Sequence, residues 1–340
     1  MNCFLEIHGM HKHNLEQLYT AHMGKSIDKW SLYFREYDRL FACYRDKPIN
    51  LLEIGIMNGG SLEIWAKYFT HALNLIGCDI NPACGQLSYD ETNIKVVIGD
   101  ATDPIVSNHI FQHAPYFDII IDDGSHQSSD VIKSFTRYFP HLMAGGLYIV
   151  EDLHCSYWSE FNGGLFNPYS SISFFKHLID IINYEHWGDS KSRQDILKSI
   201  FEKYQCTINT DVLAEIHSIE FINSLCIIRK EPAIDNSLGP RLIGGVTESV
   251  TPAHKHLNGT CNIAPDQSKN PFTVGTPSSP EGITLKTKSL AEIQIQINNL
   301  KQTVIDRDHL VHELLTSTSW QITKPLRLLG KYLQKLKLKK

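Results

Sequence analysis

Asn50-Leu51-Leu52-Glu53-Ile54-Gly55-Ile56-Met57-Asn58-Gly59-Gly60-Ser61 is an apolar run that ends in a glycine-rich turn. The run reads as a buried strand, and the pattern Ser61–His71 behind it as a helix. Glycines in such a turn let the backbone bend sharply and approach a ligand closely. The helix that follows points free N–H groups at whatever binds there. The segment is Glu-x-Gly-x-x-x-Gly rather than Gly-x-Gly-x-x-Gly. That weakens a pyrophosphate-binding reading and leaves a tight structural turn as the alternative.

Working outward, apolar runs recur at Asn74–Asp79, Lys95–Ile98, Phe117–Asp122 and Gly146–Glu151, with a helical stretch at Ser129–Leu142. Strand and helix alternating at this period predict an α/β fold with a mostly parallel sheet covered on both faces. Residues 153–205 are too long for a plain connection and are expected to hold inserted helices. His217–Phe221 and Ser224–Lys230, joined by Ile222-Asn223, read as a hairpin that adds an antiparallel edge strand. Upstream, Trp30, Tyr33, Phe34, Tyr37, Leu40, Phe41 and Tyr44 recur near helical spacing, so residues 10–46 read as helical until Pro48. This helix can cap a ligand or pack on the sheet, and packing is the expectation.

Four regions follow: an N-terminal helical cap at 1–47, an α/β domain at 48–231, a linker at 232–287 and a C-terminal part at 288–340. The linker is rich in Pro, Gly, Ser, Thr and Asn and is expected to be disordered. Leu290, Ile293, Ile297, Leu300 and Val304 give the C-terminal part a coiled-coil-like spacing that favours a homo-oligomer. Beyond it, Lys324, Arg327, Lys331, Lys335, Lys337, Lys339 and Lys340 interleave with leucines in an amphipathic tail without acids. Such a tail can lie on an anionic membrane face or be a solvated charged helix end.

The 340 residues carry 42% hydrophobic and 20% charged side chains, which excludes a wholly disordered chain. No apolar run reaches bilayer-spanning length, and the first residues lack the pattern of a signal peptide. The net charge of -5 disfavours a nucleic-acid partner. The cysteines at 3, 43, 78, 84, 155, 206, 226 and 261 include no Cys-x-x-Cys pair, which predicts free thiols in a reducing cytoplasm. Asn258-Gly259-Thr260 matches a glycosylation sequon but, without secretion, is read as chance.

Chemistry concentrates at the strand ends. Asp79 ends the second strand, about where an acid binds a ribose hydroxyl pair, and Asp100 follows the third, where a carboxylate can hold an adenine amino group. An acid at one strand end is also a common helix or turn cap. Ile121-Asp122-Asp123-Gly124-Ser125-His126 follows the fourth strand, and Val150-Glu151-Asp152-Leu153-His154 the fifth. Adjacent parallel strands deliver their ends to one rim, so Asp123, Glu151 and Asp152 can converge. Three carboxylates together repel unless a cation neutralises them, and an all-oxygen set suits Mg²⁺ or another hard divalent ion. Histidine titrates near neutral pH, so His126 can accept a proton beside the ion. His154 reads equally as a supporting group or a surface residue. Cys155 reads as a thiol. Trp158, Phe161, Phe166 and Tyr169 can line a substrate pocket or pack in the core.

Acids ending three successive strands behind this turn resemble the Rossmann-like class I S-adenosylmethionine-dependent methyltransferases, over about residues 48–230. That resemblance implies Glu53 and Gly55 near the amino-acid part of S-adenosylmethionine, Asp79 at its ribose and Asp100 at its adenine. Asn58, Gly59, Ser61 and Asp122 would complete the same site. The pairing of IDDGSH with VEDLH, together with LLEIGIMNGGSLEIWAKYF and GKSIDKWSLYFREYDRLF, is similar to the metal-dependent sugar O-methyltransferases of macrolides and related glycosides. By it, Asp123, Glu151 and Asp152 hold Mg²⁺, His126 is the general base, and the acceptor is a sugar or glycoside. The metal acidifies a sugar hydroxyl, His126 takes its proton, and the oxygen attacks the sulfonium methyl in line.

Ser317-Thr318-Ser319-Trp320-Gln321-Ile322-Thr323-Lys324-Pro325-Leu326-Arg327 resembles a tail of bacterial polysaccharide glycosyltransferases, which moves the expected substrate towards a surface polysaccharide. Two other readings stay open. The cephalosporin hydroxylase group carries a similar metal cluster, but the sequence offers no clear two-His-one-carboxylate set. A non-catalytic scaffold for glycan assembly is disfavoured by the intact Asp123, His126, Glu151 and Asp152.

Overall fold

The computed structural model describes residues 13–274 together with Lys301, Gln302 and Arg307. The chain divides into two compact units, residues 1–277 and 278–340. The expected coiled-coil-like helix and basic tail lie outside the described residues, apart from Lys301, Gln302 and Arg307, which are helical.

Seven strands form one sheet in the order β3-β2-β1-β4-β5-β7-β6. They are β1 (Asn50–Ile54), β2 (Asn74–Asp79), β3 (Ile94–Ile98), β4 (Phe117–Asp122), β5 (Leu142–Val150), β6 (Ile216–Ile222) and β7 (Leu225–Lys230). β1 to β5 pair in parallel, and the β6–β7 hairpin forms the antiparallel edge, with β7 bonded to β5. This is the expected α/β sheet. Strand alternation sends neighbours to opposite faces. Leu52, Ile120 and Tyr148 enter one core, while Leu51, Ile119 and Ile149 enter the other.

The second core is covered by α1 (Leu15–Thr20), α2 (Ser31–Phe41) and α3 (Gly60–Tyr68). The first is covered by α4 (Pro104–His113), α5 (Ser128–Tyr138), α6 (Ser171–Ile182) and α7 (Arg193–Tyr204), the last two being the helices expected within 153–205. The α4 helix was absent from the sequence reading, although Asp103 and Pro104 mark its start: the Asp103 carboxylate accepts from the Ile105 N–H at 2.8 Å, with Pro104 at the first helical position.

The N-terminal region, described from residue 13, is helical over only part of the stretch 10–46 that reads as helical. It forms α1 and α2, and residues 21–30 between them hold no regular element except turns. The reason is tertiary. This strap is tied to α3 through Glu63, which pairs with His22 at 3.1 Å and Lys25 at 2.6 Å. It runs so close to the start of α3 that a Cβ on Gly60 would lie 2.2 Å from the Lys25 carbonyl oxygen. Residues 232–274 contain only short turns, an isolated bridge between Pro240 and Cys261, and α-helical Pro271–Val274. Among the described residues, no helix is long and apolar enough to cross a membrane.

The aromatic centre of the first core is Phe135, with rings of Phe139, Tyr148, Phe174 and Phe175 between 4.8 and 5.6 Å away. Phe135→Ala should cost about 3–5 kcal/mol of unfolding free energy. Urea titration followed by circular dichroism measures it, and a loss below about 1 kcal/mol would show that this cluster is not the packing centre.

Candidate functional site

The register of the sheet builds the site. Ile54 pairs with Cys78 and Asp122, and Asp122 with Val150, so the ends of β1, β2, β4 and β5 stand level. Hydrogen bonds carry the ladder one residue further, from Asp123 N–H to the Ile54 carbonyl (2.8 Å) and from Glu151 N–H to the Asp122 carbonyl (2.9 Å). Gly55 is needed here: it has φ +85°, and a Cβ would sit 2.0 Å from the Asp123 carbonyl oxygen. The close approach expected of this glycine is therefore to the β4 end of its own sheet.

A cavity of about 510 Å³ opens along these strand ends. It is lined by Gly55, Ser61, Asp79, Asp100, Asp122, Asp123, His126, Glu151 and Asp152, all singled out in the sequence, and by Lys29 and Trp30 of the strap. Glu53, Asn58 and Gly59 do not line it. Asn58 is an exposed turn residue. Gly59 is covered by Tyr89, whose hydroxyl donates to its carbonyl at 3.1 Å. Glu53 is fully buried behind the rim and accepts from the Trp65 indole at 3.0 Å.

Asp79 and Asp100 each combine a local turn with a place in the cavity wall. Asp79 accepts from the N–H groups of Ile56 (3.0 Å), Met57 (2.9 Å) and Asn81 (2.8 Å), holding the turn after β1 in place. Asp100 accepts from Thr102 N–H at 2.8 Å. Asp122 is buried in the cavity wall and accepts from the Tyr148 hydroxyl at 3.2 Å. Burial pushes its carboxyl up to about 7.

Lys29 was not singled out in the sequence, yet it is central. Its ammonium lies 2.6 Å from Asp123 Oδ2, 2.7 Å from Glu151 Oε1 and 3.4 Å from Glu53 Oε1. Burial alone would depress this ammonium. The charges of Glu151, Asp123 and Glu53 outweigh that and hold it well above the ordinary lysine value. Glu151 also accepts from the Tyr37 hydroxyl at 2.5 Å. Burial and the Asp123 charge push Glu151 upward, while Lys29 and Tyr37 pull it down. Burial prevails, and the Glu151 carboxyl is pushed up to about 8.

Asp152 is the second hub. Its Oδ1 accepts from the Trp30 indole at 2.9 Å and the Tyr33 hydroxyl at 2.8 Å, and its Oδ2 faces His126 Nε2 at 3.7 Å. The Tyr33 hydroxyl oxygen also lies 3.0 Å from Ser224 Oγ, which can donate to it, and His154 Nδ1 meets that same Ser224 oxygen, so the β6–β7 turn reaches the rim. Ser224 had no sequence signal beyond its place in a hairpin turn. Met57, His126, Asp152 and Ser224 all have positive φ without being glycine, strain that the surrounding contacts hold in place. Aromatic rings flank the hub: Trp30 lies 6.1 Å from His154, His154 5.0 Å from Trp158, Trp158 6.1 Å from Phe161, and Phe161 6.3 Å from His126. Phe166 is exposed, and Tyr169 packs against the first core.

Two donor groups converge at the rim: Asp123, His126 and Asp152 on the open side, and Glu53, Asp123 and Glu151 on the buried side, each with ligand atoms within 4.8 Å of one another. Bonds of about 2.1 Å to a six-coordinate Mg²⁺ place ligand atoms about 3.0–4.2 Å apart, so the oxygen-rich open group needs little movement to accept a hard divalent ion. Cys155 is buried, and burial pushes its thiol up to about 11, as expected of an inert cysteine.

Asp122→Asn tests the electrostatics. A buried carboxyl raised in the folded state binds its proton more tightly there than in the unfolded chain, so its contribution to stability falls as pH rises from about 4 to about 7. The stability of Asp122→Asn relative to the native chain should therefore increase between pH 5 and pH 8. Urea midpoints in chelator-treated buffer measure it, and a difference independent of pH would show that Asp122 is not held protonated by burial.

No family model matches the chain. It is 35% identical over 176 residues to 8-demethyl-8-alpha-L-rhamnosyl tetracenomycin-C 2'-O-methyltransferase of Streptomyces olivaceus, covering 49% of this chain and 46% of the relative. It is 33% identical over 196 residues to mycinamicin VI 2''-O-methyltransferase of Micromonospora griseorubida, covering 54% of this chain and 48% of the relative. The chain thus spans about half the length of the curated relatives it matches. The MycE methyltransferase of mycinamycin biosynthesis, solved with Mg, SAH and mycinamycin VI, superposes with a TM-score of 0.53 at 27% identity, covering 70% of this chain and 58% of that one. The seven-stranded domain has the fold of the class I S-adenosylmethionine-dependent methyltransferases, and the chain resembles the sugar O-methyltransferases within them.

Proposed function

We propose that the protein is an S-adenosylmethionine- and Mg²⁺-dependent O-methyltransferase that acts on a sugar hydroxyl. The observation that carries this reading is the shared rim. One continuous cavity joins a nucleoside-type wall, Asp79 and Asp100, to the carboxylates Asp123, Glu151 and Asp152 and to His126. The likeness to enzymes that methylate rhamnosyl and mycinamicin sugars supports it.

In this reading Asp79 and Asp100 hold the ribose and adenine, and Gly55, Ser61 and the turn after β1 receive the amino-acid end. Asn58 and Gly59 shape that turn from outside the cavity. Glu53 supports the same end indirectly, by fixing Lys29 and Trp65. Asp123, Asp152 and the second oxygen of Glu151 would hold the divalent ion. When bound, that ion would acidify a chelated hydroxyl while the sulfonium supplies an electrophilic methyl. His126 takes the hydroxyl proton, and the Asp152 carboxylate, 3.7 Å from its Nε2, stabilises the imidazolium that forms. Trp30, Trp158 and Phe161 give apolar faces on which a pyranose ring can stack. A hydroxylase would need two histidines and a carboxylate together. Among the described residues only His126 joins the donor groups, and His154 is turned to Ser224.

Methyl transfer from labelled S-adenosylmethionine to glycosides with neighbouring free hydroxyls should occur with Mg²⁺ and stop with chelator. His126→Gln should lower kcat by about 10²–10⁴ while calorimetry shows S-adenosylhomocysteine binding unchanged. An unchanged rate would remove His126 as the base. Loss of S-adenosylhomocysteine binding in the Asp79→Ala, Asp100→Ala double variant is expected, and its retention would dismiss the cofactor reading of this cavity.

We place this activity in surface polysaccharide assembly at the cytoplasmic membrane face, on the strength of the 317–327 resemblance and the basic amphipathic tail. The apolar spacing at 290–304 supports a homo-oligomer. Deleting 315–340 should release membrane-associated protein in cell fractionation while sparing catalysis on soluble acceptors. Unchanged fractionation would end the anchoring idea.

A further inference from the structure

The buried donor group already contains a cation. Lys29 Nζ lies among Glu53, Asp123 and Glu151, at 3.4, 2.6 and 2.7 Å from their oxygens. These are the same carboxylates whose oxygens cluster closely enough for a metal ion. The lysine side chain is only 4% exposed, so the charge is delivered from the strap into the protein and not lent from solvent. Glu53 Oε1 is buried and makes no hydrogen bond. A buried carboxylate oxygen without a donor is costly unless a charge faces it, and the Lys29 ammonium faces this one at 3.4 Å.

We propose that Lys29 is a built-in cation of the metal centre, a positioning residue that fills the inner nest so that the rim holds a single divalent ion, on its open side. The inference rests on the divalent-ion reading above. Its physical content is a division of oxygens. The ammonium takes Oδ2 of Asp123 and Oε1 of Glu151, which leaves the second oxygen of each carboxylate, with Asp152, to the divalent ion. A divalent ion cannot share the inner nest with the ammonium, because two cations less than about 4 Å apart in a poorly solvated site repel strongly. The strap thereby also sets where the ion lies relative to His126, which flanks only the open group.

Bound Mn²⁺ counted by the loss of its free electron-spin-resonance signal, with S-adenosylhomocysteine present, tests this on the full chain. The native protein should bind one equivalent. Lys29→Met, which keeps the bulk and removes the charge, should bind two, because the emptied inner nest becomes a second site. Lys29→Arg, which keeps the charge, should return the count to one. One equivalent in both the native chain and Lys29→Met would overturn the role of Lys29 and leave the divalent-ion reading standing. None in the native chain would overturn that reading and this proposal with it. None in a folded Lys29→Met would make Lys29 a structural anchor only and overturn the proposal. Should Lys29→Met fail to fold, the native chain and Lys29→Arg decide alone: two equivalents in either, or none in Lys29→Arg, overturns it.

Discussion

Glu53, Asp123 and Glu151 meet at the carboxyl edge of the sheet with the Lys29 ammonium among them, and the rest of the rim depends on that compensation. Parallel strands ending in acids force their carboxylates together, and burial removes the water that would otherwise screen them. A lysine from outside the sheet supplies the opposite charge. The N-terminal strap therefore has to lie across the strand ends, and its other contacts serve that placement. Lys25 and His22 tie it to Glu63 of α3, Trp30 and Tyr33 tie it to Asp152, and Tyr37 reaches Glu151.

The same constraint explains the strain. His126 and Asp152 adopt left-handed backbone conformations that non-glycine residues avoid. Asp152 directly follows Glu151, which is still bonded to the strand ladder, and His126 comes three residues after Asp123, so the chain turns within a few residues to bring each side chain back over the rim. The contacts of Asp152 with Trp30, Tyr33 and His126 hold one such turn, and Ser224 at the β6–β7 turn supports it from the opposite edge. Asp79, Asp100, the other rim carboxylates and His126 thus share one cavity because the sheet register aligns them and the strap closes one side.

Much of the fold was legible in the sequence, for local reasons. β2 and β4 match their apolar runs end to end, since a strand buried on both faces leaves an uninterrupted hydrophobic stretch. The α4 helix was missed although Asp103-Pro104 announced it, because its helical face is short and only Ser107 and Ile110 are buried. The helix expected over 10–46 broke in the middle. Gly24 and the polar stretch around Asp28 were the available signal, but helical spacing on either side masked it.

The sequence by itself determined which residues stand at the strand ends, and hence that Asp79, Asp100, Asp122, Asp123, His126, Glu151 and Asp152 would share a rim. That follows from a parallel sheet, in which every strand points its carboxyl end the same way. Only the tertiary structure decided what compensates them. Lys29 is 94 residues from Asp123 and 122 from Glu151, and Tyr33 is 191 from Ser224. No periodicity spans such separations. Contacts of this kind come from how the strap and the hairpin pack on the finished sheet, where buried charge must find its opposite and a lysine in an irregular segment becomes the centre of the site.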